Sequence, residues 1–160
     1  MTFFKRNKQL LSVCDGRCAP LSEIPDEAFS SGMLGEGVAI LPSANRFLSP
    51  VNGRVESIAE SRHAYTIRSE DGLEILIHIG VDTVSLKGEH FRALVQEGEA
   101  VRVGTPIAEA DLAEIAKKGL PTVTALLITN YEEIEITDQR YGHVTGGQDP
   151  VLLYRTVQKG

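Results

Sequence analysis

Turn formers interrupt this chain so often that it has little room for long helices. Fifteen glycines and seven prolines are spread through 160 residues. The runs between them are short and rich in Val and Ile, the punctuation of many short strands. The pattern predicts an all-β fold: an antiparallel β-sandwich or barrel with glycine-cornered hairpins and one or two short helices. With 42% apolar residues, a chain of this length buries one substantial core and reads as a single domain over residues 11–160. Residues 1–10 differ in character, mixing Phe3, Phe4 and Leu10 with Lys5, Arg6 and Lys8. They are expected to be a flexible or amphipathic approach to the first strand, with at most peripheral contact with an anionic membrane.

A weak internal repeat supports the β reading. Residues 12–17 and 49–54 form similar strand–turn–strand corners, with Gly following Asp15 or Asn52, residue types that tolerate positive φ. A third corner, residues 97–107, is similar to the hairpins of biotinyl- and lipoyl-type barrels. Those carriers need a lysine at a hairpin tip. The tips here carry Gly16-Arg17 and Gly53-Arg54, so no covalent cofactor is expected. Only residues 111–119 have full helix signals: Asp111 as N-cap, Glu114 three residues on, apolar Leu112 and Ile115, then Lys117 and Lys118 before Gly119. The spacing of Phe91, Leu94 and Val95 predicts a further turn or two of helix over residues 89–96.

The net charge of −6, with no dense Lys/Arg cluster, argues against nucleic acid as a partner. No apolar stretch is long enough to span a membrane and no signal-peptide pattern is present, so a cytoplasmic location is expected. In a reducing compartment Cys14 and Cys18 are expected to be free thiols.

The chemistry concentrates on two imidazoles. His78 interrupts the apolar run 72–84, and His63 lies in the adjacent β-prone run 61–67, with turn formers Ser69 to Gly72 between them. A hairpin loop with an even residue count puts both on one face, whereas a three-residue loop separates them. Three readings are open: a metal site, a nucleophile with a helper, or two structural histidines satisfied by backbone carbonyls. For zinc, Asp82 is the available third ligand, which gives a zinc hydrolase on His63, His78 and Asp82. A nucleophile needs a neutral ring with one free nitrogen and a neighbouring donor, roles open to His78, His63 and Ser61.

The run 72–84, the Ser61-Arg62-His63-Ala64 segment, residues 29–40 and residues 49–53 together resemble the glucose-family enzyme IIA domain of the bacterial phosphoenolpyruvate:sugar phosphotransferase system. The resemblance extends from about Leu11 to Val157. It implies that His78 accepts a phosphoryl group from the phosphocarrier HPr and passes it to a cysteine of enzyme IIB. It also implies that His63 supports that group and that Ser61 orients His63. By position, Asp26, Ala28, Phe29, Met33, Leu34, Leu76, Ile79, Gly80, Asp82 and Val84 match the family's partner-docking surface. No cofactor is required; zinc bridging the two histidines and a partner carboxylate is a further expectation, as are regulated permeases or kinases as partners. Arg62 is a cation able either to favour bound phosphate or to point into solvent. A regulatory module that has lost phosphotransfer needs the apolar patch but not both histidines. His90 and His143 read as surface residues. Met1 so close to the first strand points to a separate protein rather than a permease tail.

Overall fold

A strand that buries alternate residues, as Glu74–His78 does, turns one face to a core, whereas one buried along its whole length, as Thr124–Ile128 is, is covered on both faces. The computed structural model describes residues 8–157. Their strands are β1 (Lys8–Leu11), β2 (Gly16–Pro20), β3 (Glu36–Pro42), β4 (Arg46–Leu48), β5 (Gly53–Ile58), β6 (Ala64–Ser69) and β7 (Glu74–His78). After these come β8 (Phe91–Ala93), β9 (Ala100–Val101), β10 (Pro106–Ala110), β11 (Thr124–Ile128), β12 (Ile134–Gln139), β13 (Gly142–Val144) and β14 (Pro150–Thr156). An eight-stranded sheet runs β13-β2-β3-β11-β7-β6-β5-β9, and two three-stranded sheets run β1-β14-β12 and β4-β10-β8. The ladders are antiparallel, as the all-β sandwich expectation requires.

The main core gathers one face of these sheets, including Ile40, Phe47, Ile75, Ile77, Leu126 and Leu152. Neighbours of opposite parity form a second cluster on the other face of β3 and β11: Ala39, Ala125 and Leu127 pack with Ile24, Phe29 and Val81. The short helix α1 (Glu27–Ser30) brings Phe29 to that cluster and is capped by Asp26, whose Oδ1 accepts the Ala28 N–H at 2.9 Å.

The internal repeat is realised atom for atom at two corners. Ser12 and Ser49 are fully buried, and each donates its hydroxyl to the carbonyl two residues on, Cys14 and Val51, both at 2.7 Å. Their own carbonyls accept from Gly147 and Gly104 at 2.8 and 2.9 Å. A Cβ at Gly16 would collide with the Leu41 carbonyl, and one at Gly53 with that of Arg68, so the neighbouring strand can approach only at glycine.

The expected helix forms as α2 (Leu112–Lys117): Asp111 Oδ1 accepts the Glu114 N–H at 3.2 Å and Ile115 is buried. The helix expected over residues 89–96 does not form. Phe91 to Ala93 is strand β8 on β10, and Leu94 N–H bonds Ile107 O at 2.9 Å. The apolar spacing there comes from a strand running into a turn, since the open edge of β10 supplies backbone partners that a one-turn helix lacks. At the other end, β1 begins at Lys8 and Leu10 is fully buried, so the packed fold starts inside the segment expected to lead into it. The rest of that segment lies outside the described residues. Cys14 and Cys18 are free and buried; burial pushes the Cys14 thiol far up and that of Cys18 to about 11, so both stay protonated and unreactive. No helix among the described residues is long and apolar enough to cross a membrane.

Candidate functional site

The hairpin that carries both histidines has a three-residue loop, Glu70 to Gly72, closed by Ser69 N–H to Leu73 O at 2.9 Å. In this register Ala64 faces His78, and the Ile79 N–H reaches the His63 carbonyl at 2.8 Å. The even-loop route to a shared face is therefore not the one taken. His63 precedes the first residue of β6, after Arg62 in the left-handed region at φ 59°, so its side chain is not bound by the ladder's alternation. The two rings still meet, edge to face, with centroids 4.9 Å apart and planes at 82°.

His78 ends β7 with its ring on the outward side, since Ile75, Ile77 and Ile79 occupy the core side. Its Nδ1 lies 2.8 Å from the Gly80 carbonyl. A carbonyl only accepts, so Nδ1 carries the hydrogen and Nε2 keeps a free lone pair. The Phe29 ring lies against the imidazole at 4.8 Å, tilted 54°. Burial lowers the pKa of His78 and keeps the ring neutral, while the Gly80 bond and the charges of Asp26 and Asp82 act the other way. A ring that acquires positive charge on accepting an electrophile at Nε2 thus has a carbonyl and two carboxylates to stabilise it.

His63 is 7% exposed. Its pKa is also lowered, by burial first and then by the neighbouring imidazole. Phe91 stands 6.5 Å from its ring. Its Nδ1 is buried without a hydrogen-bond partner, and Ser61, expected to orient it, is half-buried two residues before it. Arg62 is exposed, and a Cβ on Gly88 would lie 3.9 Å from its Nη1, which places the guanidinium beside that glycine.

The expected docking residues divide sharply. Met33 is 77% exposed, Val84 56% and Leu34 42%, and Asp82 is also exposed, with Asp26, Ala28 and Leu76 half-buried. Ile79 is fully buried in the main core; strand parity, which turns His78 outward, turns its neighbour in, so Ile79 is no surface residue. Gly80 is buried as well, and Phe29 is only 6% exposed. His143 is exposed and His90 half-buried.

Among the described residues no three His, Cys, Asp or Glu side chains converge as a metal-ligand group, so Asp82 does not complete a triad with the two imidazoles. A cavity of about 530 Å³ is lined by residues such as Gly53, Arg54, Glu56, Arg68 and Glu70 and includes neither histidine. The histidine pair lies instead between Phe29 and Phe91, whose rings stand 4.8 Å from His78 and 6.5 Å from His63. Three neighbours were not singled out as part of the site in the sequence: Phe91, Thr83 and Pro121. Phe91 was read only for its spacing with Leu94 and Val95, and Pro121 stands two residues after the Gly119 that ends the predicted helix.

The lowered pKa values have a consequence for stability. Between the ordinary histidine value of 6.5 and the lowered folded values, the unfolded chain binds more protons than the folded one. Stability is therefore full above 6.5 and is lost as pH falls through that window. Urea titrations from about pH 7.5 down to about pH 5 are expected to show this loss, and a His63→Gln/His78→Gln double variant should flatten it. An equally steep loss in the double variant would assign the dependence to other groups.

Comparison with known proteins adds an independent line. A family model described as phosphoenolpyruvate-dependent sugar phosphotransferase system, EIIA 1, matches residues 8–134. The chain is 39% identical over 138 residues to the PTS system glucose-specific EIIA component of Oceanobacillus iheyensis, covering 86% of this chain and 84% of that protein. It is 36% identical over 155 residues to the component of the same name from Haemophilus influenzae, covering 94% and 93%. Among solved structures, glucose permease IIA from Mycoplasma capricolum aligns with a TM-score of 0.89 at 37% identity, over 96% of this chain and 99% of that one.

Proposed function

The chain belongs to the EIIA 1 family of the phosphoenolpyruvate-dependent sugar phosphotransferase system, and from that premise we propose that it carries phosphoryl groups on His78. The observation that carries this reading is the His78 ring itself, neutral, with Nδ1 committed to the Gly80 carbonyl and Nε2 free. In the forward step the Nε2 lone pair attacks the phosphorus of phospho-HPr. The new N–P bond forms as the bond to the HPr imidazole breaks, and that imidazole leaves with the electron pair. His63, its ring 4.9 Å away, donates to a phosphoryl oxygen as charge redistributes. The phosphoryl group then passes to a cysteine of enzyme IIB, in the cytoplasm, for uptake and phosphorylation of a glucose-type sugar. No metal is needed for either step, because the donor is an activated phosphoramidate and the protein's part is positioning and charge stabilisation.

Incubation with phosphoenolpyruvate, enzyme I and HPr is expected to add one phosphoryl group, labile to acid and stable to alkali as an N-linked phosphate is. No incorporation with a competent HPr overturns the reading.

Both partners must reach one nitrogen in turn, which calls for an accessible apolar rim. Met33 and Val84 are the exposed members of that rim. Met33→Ala and Val84→Ala are each expected to weaken HPr binding by about 1 kcal/mol or more with little change in fold stability. Phe29→Ala differs: its side chain belongs to the second core cluster, and its removal is expected to cost on the order of 3 kcal/mol of stability. Asp82, exposed at the rim, sets encounter, so Asp82→Lys should slow association and flatten its salt dependence. Calorimetric and stopped-flow binding, each paired with a denaturation curve, would expose the opposite pattern.

A further inference from the structure

We infer that Thr83 is a positioning residue that sets the tautomer of His78, an inference that rests on the reading of Nε2 as the phosphoryl acceptor. The acceptor for His78 Nδ1 is the carbonyl of a glycine in the left-handed region, Gly80 at φ 77°. Glycine is the residue least able to hold a carbonyl in one direction by itself, because both its dihedrals are soft. Its orientation depends on the two peptide planes that flank it, each rigid.

Both planes are pinned from outside. The Gly80–Val81 plane is held at one end by His78 Nδ1 on the Gly80 carbonyl, and at the other by the Val81 N–H on the Pro121 carbonyl at 3.1 Å. The Ile79–Gly80 plane is held by the Thr83 hydroxyl, which donates to the Ile79 carbonyl at 2.6 Å. Thr83 is fully buried, at the start of the 3₁₀ turn Thr83–Leu86. Its methyl closes the space above Gly80, where a Cβ would come within 2.5 Å of Thr83 Cγ2 and 2.8 Å of Pro121 O. The Ile79 N–H meanwhile holds the His63 carbonyl at 2.8 Å. One buried hydroxyl thus fixes the plane next to the carbonyl that selects the tautomer, on a segment tied to the His78 ring and to the His63 backbone. The Thr83 hydroxyl is given to the Ile79 carbonyl and to neither imidazole, so it acts on His78 only through Gly80.

The test is T83V, which keeps the shape and removes the hydroxyl, with T83S as its rescue. Ring-nitrogen NMR shifts of unphosphorylated protein report the His78 tautomer directly. In wild type and T83S the hydrogen is expected on Nδ1. In T83V the two tautomers should become mixed, with labelling by phospho-HPr slowed about tenfold. An unchanged tautomer in T83V overturns the inference, as does T83S behaving like T83V. Should T83V not fold, the unaltered protein decides: a hydroxyl proton of Thr83 held on the Ile79 carbonyl gives a slowly exchanging resonance, and its absence overturns the inference. The tautomer is read without phosphate, so a wild-type protein that HPr does not label removes the functional reading while leaving the tautomer result intact.

Discussion

In His78→Ala, incorporation of phosphate from phosphoenolpyruvate, enzyme I and HPr is expected to fall to background. The side chain is the site's only ring with one nitrogen committed to a carbonyl acceptor and the other available, and no neighbour can take its place. His63 is 7% exposed and beside it, but it lacks a partner that would fix its tautomer. The loss should come without unfolding: His78 is only half-buried at the end of β7, and the backbone bonds that hold the segment, Ile79 N–H to His63 O and Val81 N–H to Pro121 O, do not use its ring. Mass spectrometry of the labelled wild-type protein under alkaline handling locates the phosphate. Label on Ser, Thr or His63, or label persisting in His78→Ala, would remove His78 from its role.

His63→Gln is expected to separate the two half-reactions. Glutamine keeps a donor near the phosphoryl oxygens, so acceptance from phospho-HPr should persist. It cannot take on positive charge as imidazole can, and onward transfer to enzyme IIB should slow strongly, by about a hundredfold if the lost stabilisation matches that of one well-placed donor in a transition state. Single-turnover transfer from the pre-labelled variant to enzyme IIB measures this without interference from the first step. Equal loss of both steps would mean that His63 serves chiefly to hold the site together.

How much of this was legible in the residues varies with distance along the chain. Asp111 with Glu114 specified a helix start because a cap and its amide lie within one turn. The twin corners were announced by Gly after Asp15 and Asn52, and Ser12 and Ser49 close them with hydroxyl bonds to carbonyls two residues away. The Gly80 carbonyl lies two residues from the His78 ring that it orients, so this contact too is made within the run 72–84. These are local devices, and local devices are written in consecutive residues.

The rest was decided by pairings that a chain forms only when distant segments meet. A loop of three residues rather than two shifts every partner in the β6–β7 hairpin, and on that register alone His63 and His78 would have parted. They meet because β6 begins one residue after His63 and Arg62 turns the backbone there. Ile79 resembles a docking residue by position, yet the parity that turns the His78 ring outward buries it. Residues 89–96 have helical spacing, but the free edge of β10 converts them to strand. The backbone around His78 needs Pro121, some forty residues beyond it, to hold Val81. Residue types and short spacings determined which groups this protein has for phosphoryl chemistry. Strand register and long-range backbone partners decided which of them share a site, because a hydrogen-bonded ladder fixes facing and neighbours together and a one-residue change alters both.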